Sequence, residues 1–260
     1  MCIITSKDNP NIKNAVKLKT SAKHRRKMSM FVAEGVRICI DAMLSKADIQ
    51  TFFVTESAKE KHKKEFEELS AYAKETFVVP PELFSHISDT QTPQGFLCII
   101  KTLDKISQFD TINCNGKFVA LESLQDPNNL GTILRTAEAL GIDGVVLSSD
   151  CCDIFNPKVV RGSMGAVFRI PFAVYPDIIQ FINEHKQLNF YACIVDNKAE
   201  KLTEVQFKPP CVAVIGNEGN GLKESTIDAC DKSITIPMKG KAESLNASTA
   251  TSIIMWEMIK

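Results

Sequence analysis

An α/β fold in two parts is what the 260-residue sequence predicts, and three observations carry it. Short, apolar runs rich in β-branched residues alternate with stretches whose apolar residues recur at helical spacing, the pattern of βαβ units and a mainly parallel sheet. The alternation breaks once, across the polar and aperiodic stretch 102–116, and then restarts. Hydrophobic residues make up 44% and charged residues 24%, enough apolar material for real cores and too much for a disordered chain. The expected organisation is a smaller N-terminal α/β domain over residues 1–108, a linker at 109–116, and a larger domain with a mainly parallel sheet over 117–260.

In the first domain, residues 11–27 are basic and helix-prone, 31–34 form a short strand, and 35–44 place Val36, Cys39, Ile40 and Met43 at helical spacing. A strand at 51–55 precedes a highly charged helix at 58–73, whose Phe66, Leu69 and Tyr72 would face the core. A strand at 76–79, the pair Pro80-Pro81, a short helix and a strand at 95–100 complete the unit. In the second domain strands are expected at 118–121, 144–147, 190–195, 212–215 and 234–236, most of them separated by helices. Ligands of parallel sheets sit at the carboxyl ends of the strands, so chemistry is expected in the loops after these runs.

Formal net charge is zero, but its distribution is uneven. In residues 1–30, Lys7, Lys13, Lys17, Lys19, Lys23, Arg25, Arg26 and Lys27 face only Asp8. Such a surplus suits an anionic partner, and equally a solvated helix face. The longest apolar runs, such as 96–100 and 212–215, fall far short of a membrane span, and residues 1–9 lack the apolar core of a secretory leader. A membrane partner is not expected, and a cytoplasmic location is. Nine cysteines, an odd number without a C-x-x-C pair, argue against a disulfide framework or a zinc ribbon. Cys98, Cys193 and Cys211 lie in or beside strand-like runs and read as small buried hydrophobes of a reducing compartment. His24, His62, His86 and His185 are scattered with no H-E-x-x-H pattern, so no metal site is expected.

Three loops draw attention. After the strand at 118–121, Asp126-Pro127-Asn128-Asn129 is a turn and helix-cap signal, followed by Leu130, Ile133, Leu134, Ala137 and Leu140 on one apolar helix face closed by Gly141. Arg135 lies off that face and, taken alone, is a solvated helix arginine. After 212–215 comes Gly216-Asn217-Glu218-Gly219-Asn220-Gly221, whose glycines permit close backbone approach, although a tight strand-to-helix turn would use them equally. Its spacing breaks both the Walker A and the Rossmann patterns, and Glu218 would repel a pyrophosphate. After 234–236, Ser244 or Asn246 can cap a C-terminal helix that opens on small residues.

Together the loops read D-P-N-N-x-G-x-x-x-R-T-A, G-N-E-G-x-G and I-P-M-x-G-x-x-x-S-L-N-x-S-x-A. In this order and context they resemble the three signature motifs of the SpoU (TrmH-like) RNA ribose 2′-O-methyltransferases of the SPOUT superfamily, over about residues 117–259. Residues 156–171 also look like the middle region of that family, and the first hundred residues resemble more loosely the substrate-binding domain of rRNA-directed members, notably at 31–37.

The resemblance implies transfer of a methyl group from S-adenosylmethionine to a ribose 2′-hydroxyl, a deep trefoil knot in the second domain, and a homodimer formed through that domain. It implies Gly216, Asn217, Ile236, Met238 and Leu245 as cofactor-binding residues, and Asn129, Arg135, Glu218, Ser244 and Asn246 as the catalytic set. No histidine lies in a motif, and a guanidinium is a poor base at neutral pH. Arg135 is therefore expected to clamp a phosphate and stabilise the developing alkoxide. With an RNA enzyme in view, Lys17, Lys19, Lys23, Arg25, Arg26 and Lys27 become the expected contacts to an RNA backbone. Ribosomal RNA, with the large subunit favoured, is expected over transfer RNA. A non-catalytic RNA-binding scaffold and a base methylase remain alternatives at this point, whereas a dinucleotide oxidoreductase fails on glycine order.

Overall fold

A computed structural model describes residues 2–103 and 115–260, so residues 109–114 of the expected linker lie outside the described residues. The chain divides into two compact units.

The first unit opens with β1 (Cys2–Ile3) and α1 (Pro10–Thr20). The Asn9 side chain accepts from the Asn11 N–H, and Pro10 sets the first helical φ, so helix entry is fixed locally. The single helix expected over 11–27 is two. Ser21, in extended backbone, ends α1, and its hydroxyl accepts from the His24 N–H to start α2 (Ala22–Met28). There follow β2 (Met30–Glu34), α3 (Val36–Leu44), β3 (Ile49–Val54), α4 (Glu56–Lys61), α5 (Lys63–Tyr72), β4 (Glu75–Val78), α6 (Pro81–Ile87) and β5 (Phe96–Lys101). The charged helix expected over 58–73 also breaks, at His62; Phe66 and Leu69 are buried, but Tyr72 is 40% exposed and donates its hydroxyl to Ala47 O at 3.0 Å. The sheet order is β1-β4-β3-β5-β2, with β1, β4 and β3 mutually parallel and β5 antiparallel to both β3 and β2. Ile12, Ala15 and Leu18 of α1 and Leu83, Phe84 and Ile87 of α6 bury themselves with Phe53 and Leu97 of the sheet.

The second unit begins with β6 (Lys117–Leu121), α7 (Pro127–Ala139) and β7 (Gly144–Ser148). The chain then lends α8 (Pro157–Gly162) and α9 (Ala166–Arg169) to the first unit, which includes Asp153–Arg169. There Phe31, fully buried, stacks on Phe155 at 4.5 Å and Phe168 at 6.2 Å between ring centroids. Such large apolar rings bury far more surface together than β2 alone could cover.

The second unit resumes with β8 (Phe172–Tyr175), α10 (Ile178–Glu184), β9 (Asn189–Cys193), β10 (Glu200–Lys201), β11 (Cys211–Ile215), α11 (Glu224–Ala229), β12 (Lys232–Thr235) and α12 (Ala247–Ile259). Its seven strands run in the order β10-β12-β9-β11-β6-β7-β8, and every pairing is parallel. The mainly parallel sheet is therefore as expected; β8, the apolar run Phe172–Tyr175, and the two-residue β10 are additions to the expected strands. The chain walks outward from β6 to β8, then returns to the other side of β6. That reversal leaves the carboxyl ends of β6, β11, β9 and β12 side by side, where a parallel sheet offers a crevice.

Candidate functional site

Three loops meet at those carboxyl ends. The first, 122–126, leaves β6 and feeds α7, whose N-terminus is capped by Asp126 accepting from the Asn128 N–H at 2.8 Å. Left unassisted, the neighbouring N–H groups of this turn would point at solvent. The second loop supplies their partner. Glu218 accepts from Asp126 N at 2.9 Å, Gln125 N at 3.0 Å and Asn129 Nδ2 at 3.1 Å. Partial burial works against a charge there, yet these donors, with the favourable helix end, hold the Glu218 carboxyl below its ordinary pKa.

Asn129, only 5% exposed, passes the connection on: its Oδ1 accepts from Asn246 Nδ2 at 2.9 Å. Asn246 in turn caps α12, its Oδ1 accepting from the N–H groups of Ser248 and Thr249 and from the Ser248 hydroxyl at 2.7 Å. One hydrogen-bonded chain, Glu218–Asn129–Asn246, thus ties the second, first and third loops together. Each amide uses its donor on one neighbour and its acceptor on the next, so neither can be removed without orphaning a partner.

The glycine loop has a steric reason for its first residue. A Cβ on Gly216 would lie 2.1 Å from Gly221 C and 2.3 Å from Leu222 N, because the loop folds back on itself through the reciprocal Asn217–Gly221 backbone pair. Asn217 spends its side chain inside this arrangement, accepting from Gly219 N and Asn220 N and donating to Ser123 O at 2.8 Å. The Asn217 side chain thus locks the loop, and neither Asn217 nor Gly216 is among the residues lining the adjoining pocket.

The pocket itself is a cleft with about 520 Å³ of empty space beyond the ends of β9, β11 and β12. Ile236, Met238 and Leu245, expected as cofactor-binding, and Ser244, expected as catalytic, line it with Val195, Ile215, Ile234 and Ile254. Arg135 stands apart from this network. It is exposed on α7, about two turns beyond the cap, and its side chain makes no hydrogen bond or ion pair to any described residue. Of the five expected catalytic residues, three are wired together, Ser244 lines the cleft, and Arg135 is a free cation.

Sequence reasoning missed the supports behind the first loop. Glu122, 2% exposed, accepts from Lys223 N and from the Thr226 hydroxyl at 2.7 Å, fixing the start of α11. Ser123 is held at φ +55, its N–H bound to Ser148 Oγ and its hydroxyl to Asp150 Oδ2 at 2.6 Å. Those hydroxyls of Ser123 and Ser148, opposed by burial and helped by Lys223, keep the Asp150 carboxyl below its ordinary pKa. Nothing in the local pattern marks Glu122, and a left-handed serine has no sequence signature comparable to glycine.

The basic stretch of the first unit divides in two. Arg25 is 4% exposed and ion-paired to Asp153 at 2.7 Å, with Nη1 donating to Leu18 O. Lys19 donates to His86 O and Ser88 O, closing the end of α6. Within the first unit these two cations therefore hold partners, Arg25 buried and Lys19 half-buried. Lys17, Lys23, Arg26 and Lys27 remain exposed. His24, bonded to Asn14, reports their field: burial first, then Lys17 and Lys27, push its pKa down.

Comparison with known proteins agrees with both halves. The profile of the SpoU rRNA Methylase family matches residues 116–256, and that of the MRM3-like substrate binding domain matches residues 9–98. The 23S rRNA (guanosine(2553)-2′-O)-methyltransferase RlmP of Bacillus subtilis is 28% identical over 257 residues, 98% of each chain. An uncharacterized tRNA/rRNA methyltransferase of Synechocystis is 29% identical over 98% of this chain and 92% of its own. Among solved structures, the AdoMet-bound rRNA methyltransferase from Sinorhizobium meliloti superposes with a TM-score of 0.88 at 28% identity, covering 98% of this chain and 96% of that one.

Proposed function

The chain belongs to the SpoU rRNA methylase family, and from that premise we propose that it transfers a methyl group from S-adenosylmethionine to a ribose 2′-hydroxyl of ribosomal RNA, the large subunit being favoured. The observation that carries this reading is the Glu218–Asn129–Asn246 chain joining three loops, the third of which lines an apolar cleft through Ile236, Met238, Ser244 and Leu245. The cleft fits the cofactor in kind. Its walls of Ile215, Ile234, Ile236, Leu245 and Ile254 suit a flat adenine.

S-adenosylmethionine supplies an electrophilic methyl carbon that needs no metal to be activated. The chain's own part is positioning and charge. Ile236, Met238, Ser244 and Leu245 would enclose the cofactor, with Gly216 permitting the close loop. Glu218, Asn129 and Asn246 hold the three loops in register, which matters because near-attack geometry supplies much of the rate in such a transfer. Arg135, free and permanently charged, would clamp a phosphate beside the reacting ribose and stabilise the oxyanion as the hydroxyl loses its proton.

Lys17, Lys23, Arg26 and Lys27 would follow the RNA backbone. A homodimer through the second unit is supported by α12, which leaves Trp256 53% and Ile253 37% exposed. The trefoil knot belongs to the same reading and is supported by the late strands β11 and β12 flanking the earlier β9. No helix among the described residues is long and apolar enough to cross a membrane, which suits the cytoplasmic location proposed for work on ribosomal RNA.

The test is transfer of labelled methyl to unmodified ribosomal and transfer RNA transcripts, followed by alkaline digestion. Label in alkali-resistant dinucleotides of ribosomal RNA is expected. Label in ordinary mononucleotides would move the reaction to a base, and label only in transfer RNA would change the substrate.

A further inference from the structure

The first unit has an open cleft of its own, with about 970 Å³ of empty space, at the carboxyl ends of the parallel strands β3 and β4. Thr55, Ser57, Lys61 and His62 form one wall, Phe84 and Ser85 another, and the segment Pro93-Gln94-Gly95 a third. That third wall is pressed close by necessity. Gly95 sits at φ +78, and a Cβ there would fall 2.4 Å from Thr55 Oγ1 and 2.5 Å from Ala58 Cβ.

The cleft presents a stacking surface and a hydrogen-bonding rim together. The His62 ring is held in place edge-on to Phe96, 5.9 Å between centroids. Gln94 is oriented by accepting from the Val36 N–H at 3.0 Å, which leaves its amide nitrogen without a partner among the described residues. Lys61 and His62 of the lining belong to Lys59-Glu60-Lys61-His62-Lys63-Lys64, a second basic stretch. Lys59 pairs with Glu56 and Lys64 with Glu68, while Lys61 and Lys63 pair with no described residue.

A flat ring, an oriented amide, small hydroxyls and the ammonium group of Lys61 around one concavity match a single ligand chemistry: an unstacked nucleoside of single-stranded RNA with its phosphate outside. We infer that this cleft takes one extruded base of the RNA substrate, stacked on His62 and hydrogen-bonded by Gln94, and so helps to select which RNA is modified. The inference rests on the reading that the chain acts on RNA.

The experiment measures binding of the full chain to an unmodified large-subunit RNA fragment across a salt series, with cofactor binding measured in parallel. The double variant His62→Ala/Gln94→Ala should weaken RNA binding by about tenfold or more, with an unchanged salt slope and unchanged cofactor affinity. His62→Phe, which keeps a stacking ring, should bind within about twofold of the parent. In turnover, the double variant should raise KM while kcat at saturating RNA is kept. Wild-type affinity in the double variant would overturn the inference, as would a loss that His62→Phe fails to restore while its melting temperature is unchanged. Should the parent bind RNA but transfer no methyl, the enzymatic reading fails, and the binding comparison still decides the cleft.

Discussion

Arg25 and Arg135 carry the same guanidinium into regions built on opposite terms. On the α1–α2 face, Arg25 is buried, paired with Asp153 and bonded to the Leu18 carbonyl. On α7, Arg135 is exposed and unpaired among the described residues, about two turns beyond the end of the helix where Asn129 joins Glu218 and Asn246. A cation with partners inside the fold serves stability; an exposed cation without a partner among the described residues is available for a ligand. The largest expected effect tests that contrast. Arg135→Ala should lower turnover by roughly 100-fold or more with an unchanged melting temperature, and Arg135→Lys should not restore it. Near wild-type turnover in the lysine variant would remove the bidentate phosphate clamp from the mechanism.

The opposite signature is expected at Arg25. Arg25→Ala leaves Asp153 beside an emptied site and should cost about 3 kcal/mol of stability, read as a lowered denaturation midpoint. Arg25→Met combined with Asp153→Leu should recover most of that loss. If the single variant instead melts normally and merely loosens RNA binding, the division between the two arginines is wrong.

A smaller effect probes the wiring itself. Asn246→Ala removes the α12 cap and the donor to Asn129, and should cost about 1–2 kcal/mol along with a rise in the KM for cofactor. Protonation offers a gentler cut. The Glu218 carboxyl titrates below its ordinary value of 4.5. Its support for the α7 turn is therefore complete above that value and fades as pH falls through the lower, folded pKa. Cofactor affinity should hold from neutral pH down to that range and then drop. Glu218→Gln should start lower and lose this pH dependence; an identical profile in the variant would show that another group titrates.

How much of this was legible follows the range of the interactions. Asp126-Pro127 at the head of α7 and Asn246 at the head of α12 act on N–H groups two or three residues away, so a local reading finds them. Gly216 was visible as a glycine, although its reason, a backbone contact with Gly221, needs coordinates. The breaks at Ser21 and His62 were hidden because neither is marked by a glycine or proline. Arg25–Asp153 spans 128 positions, and Glu122 meets Thr226 across 104; neither partner has any local mark. The motif residues were found as a set by resemblance, while their division into loop-tying amides and one free arginine is a property of the folded chain.

The smallest effect separates neighbours on one helix. Lys17 and Lys19 sit two positions apart on α1, yet one is exposed and the other donates to His86 O and Ser88 O. A lysine on an RNA phosphate releases about one counterion, so Lys17→Ala should reduce the slope of log affinity against log salt by roughly one. Lys27→Ala should do the same, since both cations act on the same histidine, His24. Lys19→Ala should leave the slope alone and instead lower the melting temperature slightly, because the end of α6 loses its only lysine donor among the described residues. Equal slopes for all three variants would mean that exposure on α1 says nothing about where the RNA backbone runs, and that the path lies along Lys61 and Lys63 instead.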